Sequence, residues 1–251
     1  MESPHLQSLV DRLQKLKTLM EQGGTEGESQ AAACLLQTLL DKHGLDESVL
    51  ESRKEDGGLV LKEFDFGTLR GNRAISWRKL LMGGLCKIND CVTISIKDTP
   101  KHIYMAGPDF QLVGILGLYE YLEATIIRLA DTSWESFKPG SVGITKETYH
   151  STFCEGGTNR ILIRLERQKK KDVEEHDSLH DGTPGTDLIL AKTKKVDEFV
   201  ENIFNQVGEM KTRDLTTGRV DKGAFGEGYG SADKIALNRQ VGGETKGKRL
   251  G

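Results

Sequence analysis

Val92-Thr93-Ile94-Ser95-Ile96, the turn Lys97-Asp98-Thr99-Pro100-Lys101, and Ile103-Tyr104-Met105 decide how this chain is read. Val92, Ile94 and Ile96 alternate with Thr93 and Ser95, and Ile103 and Met105 resume the alternation after the turn, which is the period-two pattern of a β-hairpin with one buried face. Gly107-Pro108 closes the hairpin, and proline at a first helical position loses only an N–H that would be unpaired anyway. The apolar stretch 110–129 then reads as a long helix, and Gln111, Glu120, Glu123 and Arg128 within it suit a core helix in water better than a membrane span. Gly114 and Gly117, three apart inside it, predict another element packed closely on that face.

Upstream, Leu6, Leu9, Val10, Leu13, Leu16, Leu19 and Met20 recur every three or four residues, the stripe of an amphipathic helix. Gly23-Gly24 ends it, and Thr25 with Glu28 has the spacing of a capping box for a second helix. Its stripe is Ala32, Leu35, Leu36, Leu39 and Leu40, and it stops at His43-Gly44-Leu45. A short third helix is expected over 47–51, a linker over 51–58, an ambiguous strand over 59–66 and a helix over 75–88.

Downstream, a helix is expected over 147–168, a charged solvated loop over 169–184, a strand over 187–191 and a short amphipathic helix carrying Val196, Phe199, Val200 and Ile203. The core is expected to end near Phe204, leaving a glycine-rich segment with a weak helix over 224–237 and a mobile tail. The fold class is therefore α+β: an N-terminal helical hairpin module (1–52), a linker or edge strand (53–72), a mixed α/β domain with a small sheet containing an antiparallel hairpin (73–207), and a C-terminal segment (208–251).

Residues 1–70 carry 8 Lys and Arg against 13 Asp and Glu, the remainder 27 against 25, so the strong positive balance of a bulk nucleic-acid binder is absent and any such contact must be local. The N-terminus has neither the basic head nor the apolar run of an export signal, and Cys34, Cys86, Cys91 and Cys154 form no CxxC pair, so reduced thiols in the cytoplasm are expected.

The phrases Leu16-Lys17-Thr18-Leu19-Met20, Glu28-Ser29-Gln30-Ala31-Ala32-Ala33 and Leu39-Leu40-Asp41-Lys42-His43-Gly44-Leu45-Asp46-Glu47 resemble the N-terminal module known as domain of unknown function 2786. In bacteria, phages and some fungi that module is commonly followed by a second uncharacterised domain. Trp77-Arg78-Lys79-Leu80-Leu81, Met105-Ala106-Gly107, Phe153-Cys154-Glu155-Gly156 with the run 162–165, Asp187-Leu188-Ile189-Leu190-Ala191 and Gly228-Tyr229-Gly230-Ser231-Ala232 resemble that second domain. The resemblance implies a fold but carries over no catalytic residues, and its phage occurrences imply a host-takeover or genome-associated accessory protein, in the host cytoplasm where phage-encoded.

Four constellations bear on function. Arg160, Arg164, Arg167 and Lys171 recur at helical spacing, so four cationic heads can line one face and meet phosphates, although Glu166, Asp172, Glu174 and Glu175 lie close enough to pair with them. His176 and His180, four apart with carboxylates nearby, have zinc-ligand spacing but lack the glutamate of HExxH, so a solvated acidic loop is the preferred reading. His150 and Cys154 would bring an imidazole to a thiol on one helix face, and a packing histidine beside a buried cysteine is preferred. Gly242-Gly243-Glu244-Thr245-Lys246-Gly247-Lys248-Arg249 lacks the hydroxyl that a phosphate loop needs after its lysine. The expectation is a non-catalytic accessory protein without a cofactor. Its partner would be nucleic acid or another macromolecule, or a protein docked on the N-terminal hairpin, with no membrane involved. A zinc-dependent hydrolase or a thiol enzyme is the alternative.

Overall fold

In the computed structural model the described residues are 4–22, 25–44, 58–67, 72–96, 99, 101–137, 144–179, 184–203, 221–235 and 237. Helices α1 (Pro4–Gln22) and α2 (Glu26–Gly44) form the expected hairpin. The capping box is made as spelled: the Thr25 N–H donates to Glu28 Oε2 (3.1 Å) and the Glu28 N–H to Thr25 Oγ1 (3.3 Å). Strand β1 (Leu59–Asp65), helix α3 (Asn72–Ile88), strand β2 (Val92–Ile94) and strand β3 (His102–Pro108) follow. Then come α4 (Asp109–Ser136), α5 (Lys146–Leu179), α6 (Gly185–Ile203), α7 (Lys222–Ser231) and a 3-10 turn (Ala232–Lys234).

The sheet is three-stranded and antiparallel, ordered β1-β3-β2, with Ile94 opposite Tyr104 and Phe64 opposite Ile103. Alternation divides its side chains cleanly. Val60, Phe64, Ile103 and Met105 enter the main core, while Leu59, Leu61, Val92, Ile94, Tyr104 and Ala106 meet Val196, Phe199 and Val200 of α6. The sheet is thus covered on one face by α6 and on the other by the remaining helices. Pro108 is the last residue of β3 and caps α4 in an extended conformation (φ −61°, ψ 136°), so α4 begins one residue later than expected, at Asp109.

The hairpin shares its buried cluster with α4. Leu13, Leu16, Met20, Ala32, Ala33, Leu36 and Leu40 are buried together with Ile115, Leu118, Leu122 and Ile126. Each such leucine contributes about 2 kcal/mol of burial, so this face holds the hairpin to the body. The small α4 residues accept it: a methyl group on Gly114 would stand 2.8 Å from Leu40, and one on Gly117 would stand 3.2 Å from Lys17. The close partner read from those glycines is the side-chain layer of α1 and α2. Helix α4 is long and apolar enough to cross a bilayer, and most of that stretch is buried inside the protein, as in core helices generally.

Three expectations are corrected. The charged stretch 169–184 is helical as far as Leu179, about three further turns, because Lys169 is held by the Ile88 carbonyl and Gln168 bonds Asp172 along the helix. The strand expected over 187–191 is the first half of α6; Leu188, Lys192, Val196 and Val200 are buried at intervals of four, a helical rhythm that the short run Leu188-Ile189-Leu190 conceals. The core does not end near Phe204: Ala224, Ala232, Ile235 and Leu237 all join it. The helix expected over 47–51, the linker over 51–57 and the C-terminal tail lie outside the described residues.

Helix α7 reaches the core by lying directly on α5. A methyl group on Gly156 would stand 2.2 Å from the Phe225 carbonyl oxygen, and one on Gly228 would stand 2.0 Å from that of Phe153, so two backbones touch with no side chain between them. Arg160 Nε donates to Asp233 (2.6 Å), and Arg164 Nη1 donates to the Ala232 carbonyl (2.7 Å). The Tyr149 hydroxyl donates to Glu227 (2.5 Å) and lies 2.8 Å from the Ser133 hydroxyl, which is itself 2.9 Å from Glu227, tying α7 to α4 and α5.

Candidate nucleic-acid interface

The stripe Arg160, Arg164, Arg167 and Lys171 does occupy one side of α5, as its spacing requires, but the structure divides it. Arg160 bonds Asp233 and Tyr229 and stacks over the Tyr229 ring (5.0 Å), and Arg164 holds the 3-10 turn, so both clamp α7. Arg167 and Lys171 are exposed, and among the described residues no carboxylate forms an ion pair with either. The exposed Lys170 reaches Glu174 at 3.9 Å. Such a contact between exposed groups contributes between zero and about 1 kcal/mol and yields readily to another anion.

Helix α3 runs beside α5 in the same direction: Gly84 faces Leu162, Lys87 lies 3.9 Å from Glu166, and the Ile88 carbonyl accepts from Lys169. Between α3 and the hairpin a groove of about 410 Å³ opens, lined by Lys79, Leu80, Gly83, Gly84 and Lys87 of α3 and by Thr93, Ser95 and Ile103. Lys79 is half-buried, and burial pushes its pKa down. Among the described residues no carboxylate pairs with it, which leaves a partly desolvated cation facing an open groove. Composition concealed this groove, because α3 reads as an ordinary core helix and the two lysines stand eight residues apart, about 12 Å along its axis.

The thiol pair is not poised for chemistry. Cys154 is buried, and burial pushes its pKa up to about 12, the opposite of what a thiolate nucleophile needs. His150 Nε2 lies 3.4 Å from Asp131, while burial pushes the imidazole pKa down. Cys86 is likewise pushed up to about 12. Both thiols are therefore expected to react with an aromatic disulfide reagent at least about 100-fold more slowly in the native protein than in denaturant. Equal rates in the two states would show that these helices open readily.

His176 lies on α5, not on a loop, with Nδ1 3.3 Å from Asp177; His180 lies outside the described residues. Asp177 accepts from the Gly185 N–H (2.5 Å), which holds its carboxyl below the usual range and joins the end of α5 to the start of α6. Among the described residues no group of three or more His, Cys, Asp and Glu side chains gathers as metal ligands.

A second polar constellation was not read from the sequence at all. Asp41 from α2, Asn89 and Asp90 from the α3–β2 turn, Gln111 from α4, and Lys169 and Asp172 from α5 converge around a space of about 10 Å³, room for about one water. Lys169 Nζ donates to Asp90 (2.5 Å) and to the Ile88 carbonyl (2.5 Å). Asp90 holds a left-handed backbone (φ 56°), a conformation that costs about 1 kcal/mol or more for a residue with a side chain. The sequence signal was faint: an Asn-Asp turn and a Gln within an apolar helix.

Comparison of the chain with protein-family models, with curated proteins and with solved structures returned no match in any of the three.

Proposed function

We propose that this protein is a non-catalytic, cytoplasmic accessory protein that binds nucleic acid along the surface formed by α3 and the second half of α5. The observation that carries the reading is Lys79, a half-buried cation without a carboxylate partner among the described residues, at the wall of an open groove. An anion supplied from outside would satisfy it. Lys87, Arg167, Lys170 and Lys171 extend the positive charge along two neighbouring helices, a spread that suits the repeated phosphates of a polymer better than a single small anion. Among the described residues no aromatic side chain lines the groove, which favours contact with the sugar-phosphate backbone over base stacking. The resemblance to a module found in phage proteins is compatible with such a genome-associated role.

Fluorescence anisotropy with labelled single- and double-stranded oligonucleotides tests this. Binding in the micromolar range at about 50 mM salt, weakening as salt rises, is expected for the native protein. K79Q/K87Q/R167Q/K171Q should weaken it by about 100-fold and flatten the salt dependence, because up to four phosphate contacts are removed. Arg160 and Arg164 are left intact, since their loss would release α7. No binding by the native protein, or unchanged binding by a folded variant, would overturn the reading.

A further inference from the structure

The junction of Asp41, Asp90, Asp172 and Lys169 takes no part in the proposed interface, yet it gathers three carboxylates and one ammonium around a space of about 10 Å³. We infer that this junction is a proton-operated latch: with a proton on Asp41 the last turn of α2 stays seated against α3, α4 and α5, and loss of that proton loosens the turn.

Geometry supports it from every side. Asp41 accepts a hydrogen bond from Gln37 Nε2 (2.9 Å) within α2. Helix α5 presents Asp172 and Lys169, and the α3–β2 turn presents Asp90. The α4 contribution is the neutral Gln111, and that of α6 is the apolar Ile189. Lys169 is already committed to Asp90 and the Ile88 carbonyl, and Asp172 accepts from Gln168 (2.8 Å). One ammonium therefore faces three potential negative charges. Gln111, a residue 1% exposed, lines the junction, and its Nε2 has no acceptor among the described residues, so a second buried polar group stands beside the carboxylates. Leu40, adjacent in sequence, sits over Gly114, so the same turn of α2 carries an apolar contact and a titratable group that lines the junction.

Burial, with Asp172 and Asp90 adding to it, pushes the Asp41 pKa up to about 7 against the ordinary 3.8. The folded state therefore holds a proton that the opened turn would release. The latch is at full strength below about pH 4, weakens as pH rises, and is lost by about pH 7, where Asp41 is charged even when seated.

Hydrogen exchange on the full chain, expressed as protection factors for segments 36–44 and 88–91, tests the latch. Protection should fall about tenfold per pH unit between about pH 5 and pH 7 and level off above, since one proton is released per opening. In D41N, which cannot lose that proton, the dependence should vanish. In D172N, which removes one neighbouring charge, the levelling point should move to lower pH. Flat protection in the native protein, an equal slope at the α5–α7 crossing, or the slope retained in D41N would overturn the latch. Should D41N fail to fold, an unmoved levelling point in D172N does the same.

Discussion

G228A is expected to destabilise the protein by about 3 kcal/mol, well beyond what an alanine normally does in a helix. The new methyl group would stand 2.0 Å from the Phe153 carbonyl oxygen and 2.7 Å from its carbon, both backbone atoms of α5 that no rotamer change can move. Helix α7 would have to lift, but Glu227, Asp233 and the Ala232 carbonyl tie it down on either side of the contact. Lifting it also exposes Ala224, Ala232, Ile235 and Leu237 from the core. Urea unfolding followed by Trp134 fluorescence measures the loss, since that ring packs on Tyr149 (5.2 Å) beside the crossing. G226A, on the same helix with nothing within 4 Å of the added carbon, is the contrast. It should stabilise by up to about 1 kcal/mol through helix propensity alone. If the two variants behaved alike, α7 would not cross α5 at this contact.

K169M is expected to cost about 3 to 5 kcal/mol at about pH 8, because it leaves Asp90, whose side chain is 6% exposed, without its cation beside two further carboxylates. The methionine keeps most of the aliphatic stem in place, so the loss reports charge more than packing. At about pH 5 the penalty should shrink, since Asp41, whose carboxyl is pushed up by burial, carries a proton there and one of the uncompensated charges is gone. Chemical denaturation at both values gives the difference directly. A penalty independent of pH would mean that the ammonium acts there as a spacer rather than a counter-charge.

Much of the architecture was legible because it rests on local rules. The hairpin α1–α2 follows from leucines at helical spacing and a Thr-x-x-Glu box; the box is realised atom by atom, while of the stripes Leu13, Leu16, Met20, Ala32, Leu36 and Leu40 are buried and Leu19 and Leu35 stay exposed. The β2–β3 hairpin follows from strict alternation, and Gly107-Pro108 marks the passage into α4 to within one residue. Where local rules misled, distant partners had overridden them. The end of α5 reads as a loop because its lysines and acids look solvated, yet Lys169 is drawn inward by Asp90 and a carbonyl far away in sequence. Helix α6 reads as a strand because three apolar residues in a row have no period, and only the sheet face above it selects the helical one. The C-terminal glycines read as looseness. Gly228 instead makes the closest approach of the described glycines, and the stretches Phe153-Cys154-Glu155-Gly156 and Gly228-Tyr229-Gly230-Ser231-Ala232, remote in sequence, touch each other.

The candidate sites divide the same way. Helical spacing correctly placed Arg160, Arg164, Arg167 and Lys171 on one side of α5. Which of them face solvent depended on α7, which arrives from more than sixty residues away. The burial of Cys154 was read from its place on a helix; Lys79 at the groove and Asp41 at the junction were not read, since a lysine or aspartate gains an unusual environment only from what packs around it. For this protein, the sequence by itself determined the helices and strands whose period and caps are spelled within about twenty residues. Tertiary structure alone decided which charges are clamped, which stay open and which are crowded together in the interior, because those depend on burial and on partners the chain brings together only when folded.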